Sequence, residues 1–248
     1  MTIDIHCHLG MDRMNVDLVT RETLTENTDM LIERMDEYNV EKTVLTPIEH
    51  RVPSELYLEA ANMYPDRLAF ACSVMPRPID EARARIDHFA DQGCKAYIFD
   101  EEIYHPADPA AHAVAQMAVE KDLAVYFHHK EISSEVISFL DRLSLTYPSA
   151  QFVVLHMGGL FGFSKLIPLI ARNNVWLEVS VTLPRLVESP LRVFLDALIQ
   201  DLGVRKLVFG SEHHSEYQDL MASLNLINLN VETMRVITER NARHILNL

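Results

Sequence analysis

The chain has 248 residues, of which 48% are hydrophobic and 23% are charged, and this is the balance of a globular protein with a sizeable core. Its 22 basic and 36 acidic residues give a formal net charge of −14. Such an acidic surface repels phosphate backbones and argues against nucleic-acid binding, whereas a small anionic substrate stays open, because a bound metal ion carries its own positive charge.

Short apolar runs alternate with amphipathic segments along the whole chain, as buried parallel strands joined by helices would. The predicted strands are 2–6, 42–46, 68–74, 95–99, 124–128, 151–156, 175–179 and 206–209. The predicted helices are 29–39, 80–92, 108–121, 133–147, 163–172 and 190–202, with a closing C-terminal helix at 232–246. Several of these helices begin with a capping residue or an early acid, such as Ser133.

Eight strands that alternate with helices over about 250 residues predict one α/β domain, residues 1–248, folded as a (β/α)8 TIM barrel with a C-terminal helix. A slight distortion of the barrel is left open. The alternative is a doubly wound open sheet. The first strand runs into His6-Cys7-His8-Leu9-Gly10, whose single glycine offers no phosphate-binding loop, and this argues against a dinucleotide-binding fold.

Cysteine usage and hydropathy bear on location. Cys7, Cys72 and Cys94 form an odd set without a C-x-x-C pair, so we expect reduced thiols that pack as small apolar residues. No run approaches the ~18 apolar residues of a membrane span. A cleaved leader would remove the candidate ligands, which begin at His6. We therefore expect a cytoplasmic protein without membrane or nucleic-acid partners; homo-oligomers are left open.

The segment Asp4-Ile5-His6-Cys7-His8 ends the first apolar run. The side-chain period of a strand is two, so His6 and His8 point to the same side. Two imidazoles on one face make half of a divalent metal site. The alternative reading is two polar residues at a strand end.

Three later strand ends carry the same residue types, and in a barrel the chemistry lies at those ends. Strand five runs into His128-His129, strand six into His156, and strand eight into Glu212-His213-His214. Imidazole and carboxylate ligands suit Zn²⁺ with one open position for a water, which the metal makes acidic. We read the scattered remaining histidines as solvated or packing residues: His50, His88, His105, His112 and His244.

With these motifs, the sequence resembles the amidohydrolase superfamily, and within it the branch with aminocarboxymuconate-semialdehyde decarboxylase and pyrone-dicarboxylate lactonase. The resemblance implies that His6, His8 and His128 are metal ligands. It also implies that the histidine of His156-Met157-Gly158-Gly159 polarises the substrate or holds the attacking water. Two further segments match family patterns, Phe209-Gly210-Ser211-Glu212 and Asn241-Ala242.

Glu212 departs from the family, which has aspartate there as metal ligand and general base. Glutamate reaches roughly 1.5 Å further, whereas catalytic geometry tolerates errors of about 1 Å. Glu212 is therefore expected to ligate the metal, to act as base without ligating, or to leave the site inactive. The chain is also short for the decarboxylases of this branch, which leaves fewer loops for a lid.

Binuclear members of the superfamily use a carboxylated lysine on strand four. Lys95 begins that strand rather than ending it, so we expect a structural role for Lys95 and a single metal. Lys130, His129 and His213 are candidate substrate contacts, and Arg77 has the same status as Lys130. Cys7 alternates away from the metal face and is expected to pack against helices.

The sequence thus predicts a metal-dependent hydrolase for a small amide, lactone or related carbonyl compound, with one divalent ion, expected to be Zn²⁺. Glu212 would be the base, and His156 would help to stabilise the oxyanion. One alternative is a non-oxidative decarboxylase of an unsaturated or aromatic acid. Another is a metal-binding protein with weak or no catalysis. The substrate, and the choice among Zn²⁺, Mn²⁺ and Fe²⁺, are not readable from the residues.

Overall fold

The computed structural model describes residues 1–11, 13–48 and 50–248, apart from the side chains at 17 and 202. Within this part of the chain, nine strands form one sheet: β1 (Thr2–His8), β2 (Val40–Leu45), β3 (Leu68–Cys72), β4 (Ala96–Asp100), β5 (Ala124–His128), β6 (Phe152–Val154), β7 (Val175–Glu178), β8 (Leu207–Val208) and β9 (Glu212–His213). The sheet order is β8-β7-β6-β5-β4-β3-β2-β1-β9, and all neighbours are parallel.

Helices connect the strands around the outside. They are α1 (Leu24–Glu37), α2 (Ser54–Met63), α3 (Ile79–Asp91), α4 (Pro109–Glu120), α5 (Ser134–Thr146), α6 (Phe163–Ile170), α7 (Thr182–Val187), α8 (Arg192–Leu202), α9 (Tyr217–Leu226), α10 (Val231–Arg235) and α11 (Asn241–Leu246). The cap of α5 is the predicted one, since Ser133 accepts a hydrogen bond from the backbone N–H of Val136. No helix in the described ranges is both long and apolar enough to cross a bilayer.

The barrel closes through an interrupted eighth strand. β8 pairs with β7, and β9 pairs with β1, while only residues 209–211 separate the two pieces. Across the gap, the backbone N–H of Ile5 donates to Phe209 (3.1 Å), and that of Ser211 donates to His6 (3.0 Å). The sheet order therefore forms a ring, and the predicted (β/α)8 barrel is confirmed over the open sheet.

Two apolar cores follow from the alternation of side chains along the strands. Strand residues such as Ile3, Ile5 and Tyr126 fill the barrel, and Ile245 and Leu246 of α11 pack into the same cluster. The larger core lies between the strands and the helices. Cys7 is fully buried in that outer core, as its alternation away from the metal face predicts.

The element boundaries differ from the predictions where backbone dihedrals change. The predicted strand 151–156 ends at Val154, because His156 and Met157 take positive φ values of 55° in a short helical turn, Leu155–Gly158. A π turn, Val236–Arg240, interrupts the predicted C-terminal helix. Helices α2, α7 and α9 were not predicted. Lys95 directly precedes β4, at the end of the barrel away from the ligands.

Candidate metal centre

The predicted ligands meet at the carboxyl ends of the strands. His6 and His8 extend from β1 to the same side, and their Nε2 atoms are 3.3 Å apart. His128 ends β5, and Glu212 begins β9. One potential ligand atom from each of these four residues lies within 4.8 Å of all the others. The fold thus brings together residues from three strands that are up to 206 positions apart.

The second nitrogen of each candidate ligand ring, Nδ1, lies beside a carbonyl or ionised carboxylate oxygen, which can only accept a hydrogen bond. His8 Nδ1 donates to the Thr46 carbonyl (2.6 Å), His6 Nδ1 donates to Glu178 Oε2 (3.2 Å), and His128 Nδ1 donates to Asp100 Oδ2 (2.6 Å). Because Nδ1 carries the proton, Nε2 of each neutral ring keeps its lone pair. This arrangement orients imidazoles for metal binding in many proteins.

His156 is aimed at the cluster by its left-handed turn. Positive φ continues through Gly158 (75°) and Gly159 (88°). A Cβ at Gly159 would lie 2.6 Å from the Lys130 carbonyl oxygen, so the second glycine of the motif is sterically required. The turn places His156 Nε2 3.3 Å from Glu212 Oε2, while His156 Nδ1 lies 2.9 Å from Ser180 Oγ.

Glu212 reaches the histidines despite its departure from the family pattern. Its Oε2 lies 3.5 Å from His6 Nε2 and 3.7 Å from His8 Nε2, and it is a buried oxygen that has no hydrogen-bond donor among the described residues. The residue has a φ of 70°, a left-handed conformation that costs about 1 kcal/mol or more outside glycine. Its other oxygen, Oε1, lies 3.9 Å from Arg13 Nε.

The electrostatics follow from burial. Burial lowers the pKa of His6, His8 and His156 to about 3, so these imidazoles are neutral at neutral pH. Burial also opposes ionisation of Glu212, whereas coulombic attraction to the protonated forms of the surrounding histidines, His156 first, lowers its pKa below the usual value. For His128, burial is outweighed by the hydrogen bond to Asp100 and by nearby carboxylates, which raise its pKa.

The donor set fits one divalent metal ion. Nε2 lone pairs and an ionised carboxylate oxygen face one another at 3.3–3.7 Å, no described residue places a proton donor between them, and a cation bound there would relieve their repulsion. Tetrahedral ligands at about 2.1 Å from Zn²⁺ stand about 3.4 Å apart, close to these spacings. A second group, His6, His156 and Glu178, fits a hydrogen-bond network better, because both Glu178 oxygens accept from protein donors.

A cavity of about 280 Å³ opens above the centre, with His128, His156 and Glu212 in its lining. Arg13, Lys130 and Arg185 bring positive charge to its wall. Lys130 and Arg185 form no ion pair with any residue that the structure describes, so their charge is available to a ligand.

The candidate substrate contacts separate into two groups. Lys130 lines the cavity, whereas His129 and His213 are buried outside its lining. His129 Nε2 lies 2.7 Å from the Tyr104 hydroxyl, and His213 Nε2 lies 3.2 Å from the Gly10 carbonyl. Arg77 pairs with Asp108 in a different surface depression. The geometry therefore gives no support to substrate contacts by His129, His213 or Arg77.

Sequence reasoning missed the groups that support the ligands. Asp100 ends β4 and Glu178 ends β7, and both are almost completely buried. A signal was present, since each acid directly follows an apolar run, Tyr97-Ile98-Phe99 before Asp100 and Val175-Trp176-Leu177 before Glu178. Arg13 had no comparable signal, because it lies in a loop.

Comparison with known proteins agrees with this architecture. A probable 2-pyrone-4,6-dicarboxylic acid hydrolase from Acinetobacter baumannii, solved with citric acid bound, has a TM-score of 0.77 at 18% identity, covering 100% of this chain and 99% of that one. An uncharacterised TIM-barrel protein from Bordetella bronchiseptica has a TM-score of 0.75 at 16% identity, covering 99% and 98%.

A third solved structure, 5-carboxyvanillate decarboxylase from Sphingomonas paucimobilis, has a TM-score of 0.70 at 15% identity, covering 100% of this chain and 99% of that one. At these identities the likeness shows the fold alone. No curated protein matches the sequence. Residues 3–248 match the sequence pattern of one family over nearly the whole chain, and the protein therefore belongs to the amidohydrolase family.

Proposed function

We propose that this enzyme of the amidohydrolase superfamily is a hydrolase that uses one divalent ion, preferably Zn²⁺, on a small lactone, amide or related carbonyl compound. The observation that carries the proposal is Glu212 Oε2, a buried carboxylate oxygen that receives no hydrogen bond from the described residues and that faces imidazole lone pairs at the mouth of the barrel. A cation bound between this oxygen and the histidine nitrogens would stabilise both.

His6, His8, His128 and Glu212 would hold the ion. When bound, a divalent ion supplies Lewis acidity, which lowers the pKa of a water molecule and polarises a carbonyl group. Glu212 accepts the proton of the attacking water and returns it to the leaving group. Its Oε1 lies on the Arg13 side of the carboxylate, and Glu212 itself lines the cavity, so the base is within reach of a bound substrate.

His156 fits one of the two roles that the family implies. Ser180 Oγ donates to Glu178 Oε2 (2.8 Å), so Ser180 accepts from His156 Nδ1–H, and His156 Nε2 is left with a lone pair. A lone pair accepts a hydrogen bond from the attacking water, whereas it repels an oxyanion. We therefore assign His156 to holding the water rather than to stabilising the oxyanion.

The cavity suits a small substrate with an anionic group. Its volume of about 280 Å³ is at the lower end of ligand pockets. The uncommitted charges of Lys130 and Arg185 would bind a carboxylate beside the reacting carbonyl. The Acinetobacter baumannii relative was solved with a tricarboxylic acid, citrate, and an acid of that kind suits these cations as well.

The same cations favour a second candidate, non-oxidative decarboxylation of an unsaturated or aromatic acid. That reaction would use the metal site to orient the acid. It would not need a base beside an attacking water, and the placement of Glu212 and His156 around one point therefore favours hydrolysis. A metal-binding protein without catalysis is less favoured, because Glu212 does reach the ligand cluster.

Metal analysis and a substrate panel test the proposal. The purified protein should contain about one equivalent of divalent metal, and a panel of small carboxylated lactones and amides should include a substrate whose hydrolysis stops with chelator and returns with Zn²⁺. Glu212→Gln should abolish turnover, and the matched rim variant Glu216→Gln should retain it. Release of CO₂ without hydrolysis would overturn the proposal in favour of the decarboxylase, and a protein that binds no metal would overturn both.

The remaining expectations form part of the same proposal. Cys7, Cys72 and Cys94 are buried and form no disulfide within the described part of the chain, which suits the reducing cytoplasm. The partner we propose is the small-molecule substrate, without nucleic acid or membrane.

A further inference from the structure

Strand β7 supplies no metal ligand, yet its end holds the histidines in place. We propose, building on the hydrolase function above, that Glu178 is a positioning residue that fixes the ring tautomers of His6 directly and of His156 through Ser180. A ligand on β1 and the water-holding residue after β6 would then depend on one carboxylate.

All the partners of Glu178 are donors. Its Oε2 accepts from His6 Nδ1–H (3.2 Å), from the backbone N–H of His156 (2.9 Å) and from the hydroxyl of Ser180 (2.8 Å). Its Oε1 accepts from the backbone N–H of Ser180 (2.5 Å). Glu178 is fully buried, so no solvent replaces any of these bonds. Only an acceptor at both oxygens satisfies four donors, and a carboxylate is the side chain that provides this.

Ser180 links Glu178 to His156 by a chain of two hydrogen bonds. Its hydroxyl proton points to Glu178, so its oxygen is free to accept from His156 Nδ1–H at 2.9 Å. Without this bond, His156 could carry its proton on Nε2, which lies 3.3 Å from Glu212 Oε2. The ring would then donate to the base and occupy the oxygen that the metal needs. The Glu178–Ser180 pair therefore keeps Glu212 available.

The lack of a side chain at Gly210 independently supports the position of the Glu178 carboxylate. A Cβ at Gly210 would lie 2.6 Å from both Cγ and Oε1 of Glu178. The φ of Gly210 is not in the left-handed region, so close approach alone accounts for the glycine. The second residue of the Phe209-Gly210-Ser211 motif thus makes room for Glu178.

Nitrogen-15 NMR of the metal-free protein, labelled on histidine, reads the tautomers at pH 7.5. The wild type should show Nδ1–H rings at His6 and His156. Ser180→Ala should move His156 toward the Nε2–H tautomer and leave His6 unchanged, and Glu178→Gln should change both. Ser215→Ala is the matched control, because it removes another serine–histidine contact of 2.9 Å, to His213, and should leave both rings unchanged.

Zn²⁺ affinity, measured by competition with a chromophoric chelator, is the second readout. Glu178→Gln should weaken binding about 10- to 100-fold, the usual effect of losing a partner of a ligating histidine. Gly210→Ala keeps the carboxylate but displaces it, so it should shift both rings and weaken binding in the same direction. This variant also covers the case in which Glu178→Gln does not fold.

An unchanged His156 tautomer in Ser180→Ala would overturn the positioning role, even if the enzyme hydrolyses its substrate. Unchanged tautomers of His6 and His156 in Glu178→Gln, or in Gly210→Ala where Glu178→Gln does not fold, would overturn it as well. A wild type that shows the expected tautomers but neither binds Zn²⁺ nor hydrolyses would instead overturn the proposed function and leave the positioning of the rings in place.

Discussion

Shortening Glu212 by one methylene, to the aspartate that the family resemblance leads us to expect at this position, should weaken metal binding in this protein. Glu212 Oε2 now lies 3.5 Å from His6 Nε2 and 3.7 Å from His8 Nε2. Removing a methylene withdraws the oxygen by up to about 1.5 Å, which leaves it as far as about 5 Å from both nitrogens. Ligands of one Zn²⁺ stand about 3.4 Å apart, so the carboxylate would leave the ligand set.

The backbone cannot follow the shortened side chain. Cys7 pairs with Glu212 between β1 and β9, and the N–H of Ser211 donates to the His6 carbonyl at 3.0 Å, so the main chain at residue 212 is fixed to the strand that carries the histidines. We expect Glu212→Asp to weaken Zn²⁺ binding by at least about 100-fold, or about 2.7 kcal/mol.

Chelator competition at pH 7.5 measures this change. Glu216→Asp is the matched control, since Glu216 contacts Arg13 at 3.9 Å on the rim and should bind Zn²⁺ as the wild type does. Equal or tighter Zn²⁺ binding by Glu212→Asp, or higher turnover, would refute the reasoning and show that the glutamate is a compromise.

Three further predictions follow from the site. Asp100→Asn should weaken Zn²⁺ binding about 10- to 100-fold, because Asp100 Oδ2 accepts a hydrogen bond from His128 Nδ1–H, with 2.6 Å between the two heavy atoms. Unchanged affinity by chelator competition would contradict this. Lys130→Met with Arg185→Met should weaken citrate binding, measured by calorimetry, at least about 10-fold, whereas Lys95→Met should not. The metal-free protein should lose stability on acidification, because the three imidazoles with a pKa of about 3 ordinarily titrate at 6.5, so below 6.5 the unfolded chain binds protons that the folded chain does not. Each imidazole contributes up to about 1.4 kcal/mol per pH unit to the slope of the unfolding free energy between about pH 6.5 and 3. Urea unfolding with chelator at pH 7.5, 6.5 and 5.5 measures this slope. An unfolding free energy that does not change with pH would count against buried neutral rings.

The period of two along a strand predicted that His6 and His8 lie on one face, whereas their role as metal ligands rested on the later strand ends and on the family resemblance. The rule that barrel chemistry lies at the carboxyl ends of strands indicated the segments that hold His128 and Glu212, and the family resemblance singled out these two residues within them. The supporting acids were harder to recognise, because Glu178 acts on residues 172 and 22 positions away, and nothing in its own segment shows those contacts. The left-handed turn at His156 ends β6 earlier than predicted. It could not be predicted because a positive φ at a non-glycine residue leaves no signal in the hydrophobic pattern.

The interrupted eighth strand has a consequence for how the protein can be divided. Closure at β9 depends on Asp4, which accepts from Ser211 Oγ (2.6 Å) and from the Tyr217 hydroxyl (3.0 Å), so residues near the two termini form one seam. The proposed imidazole ligands lie before position 129 and the proposed carboxylate ligand lies after position 211. Two fragments cut between these positions would each lack part of the ligand set, and recovery of tight Zn²⁺ binding on mixing them would report reassembly of the ring.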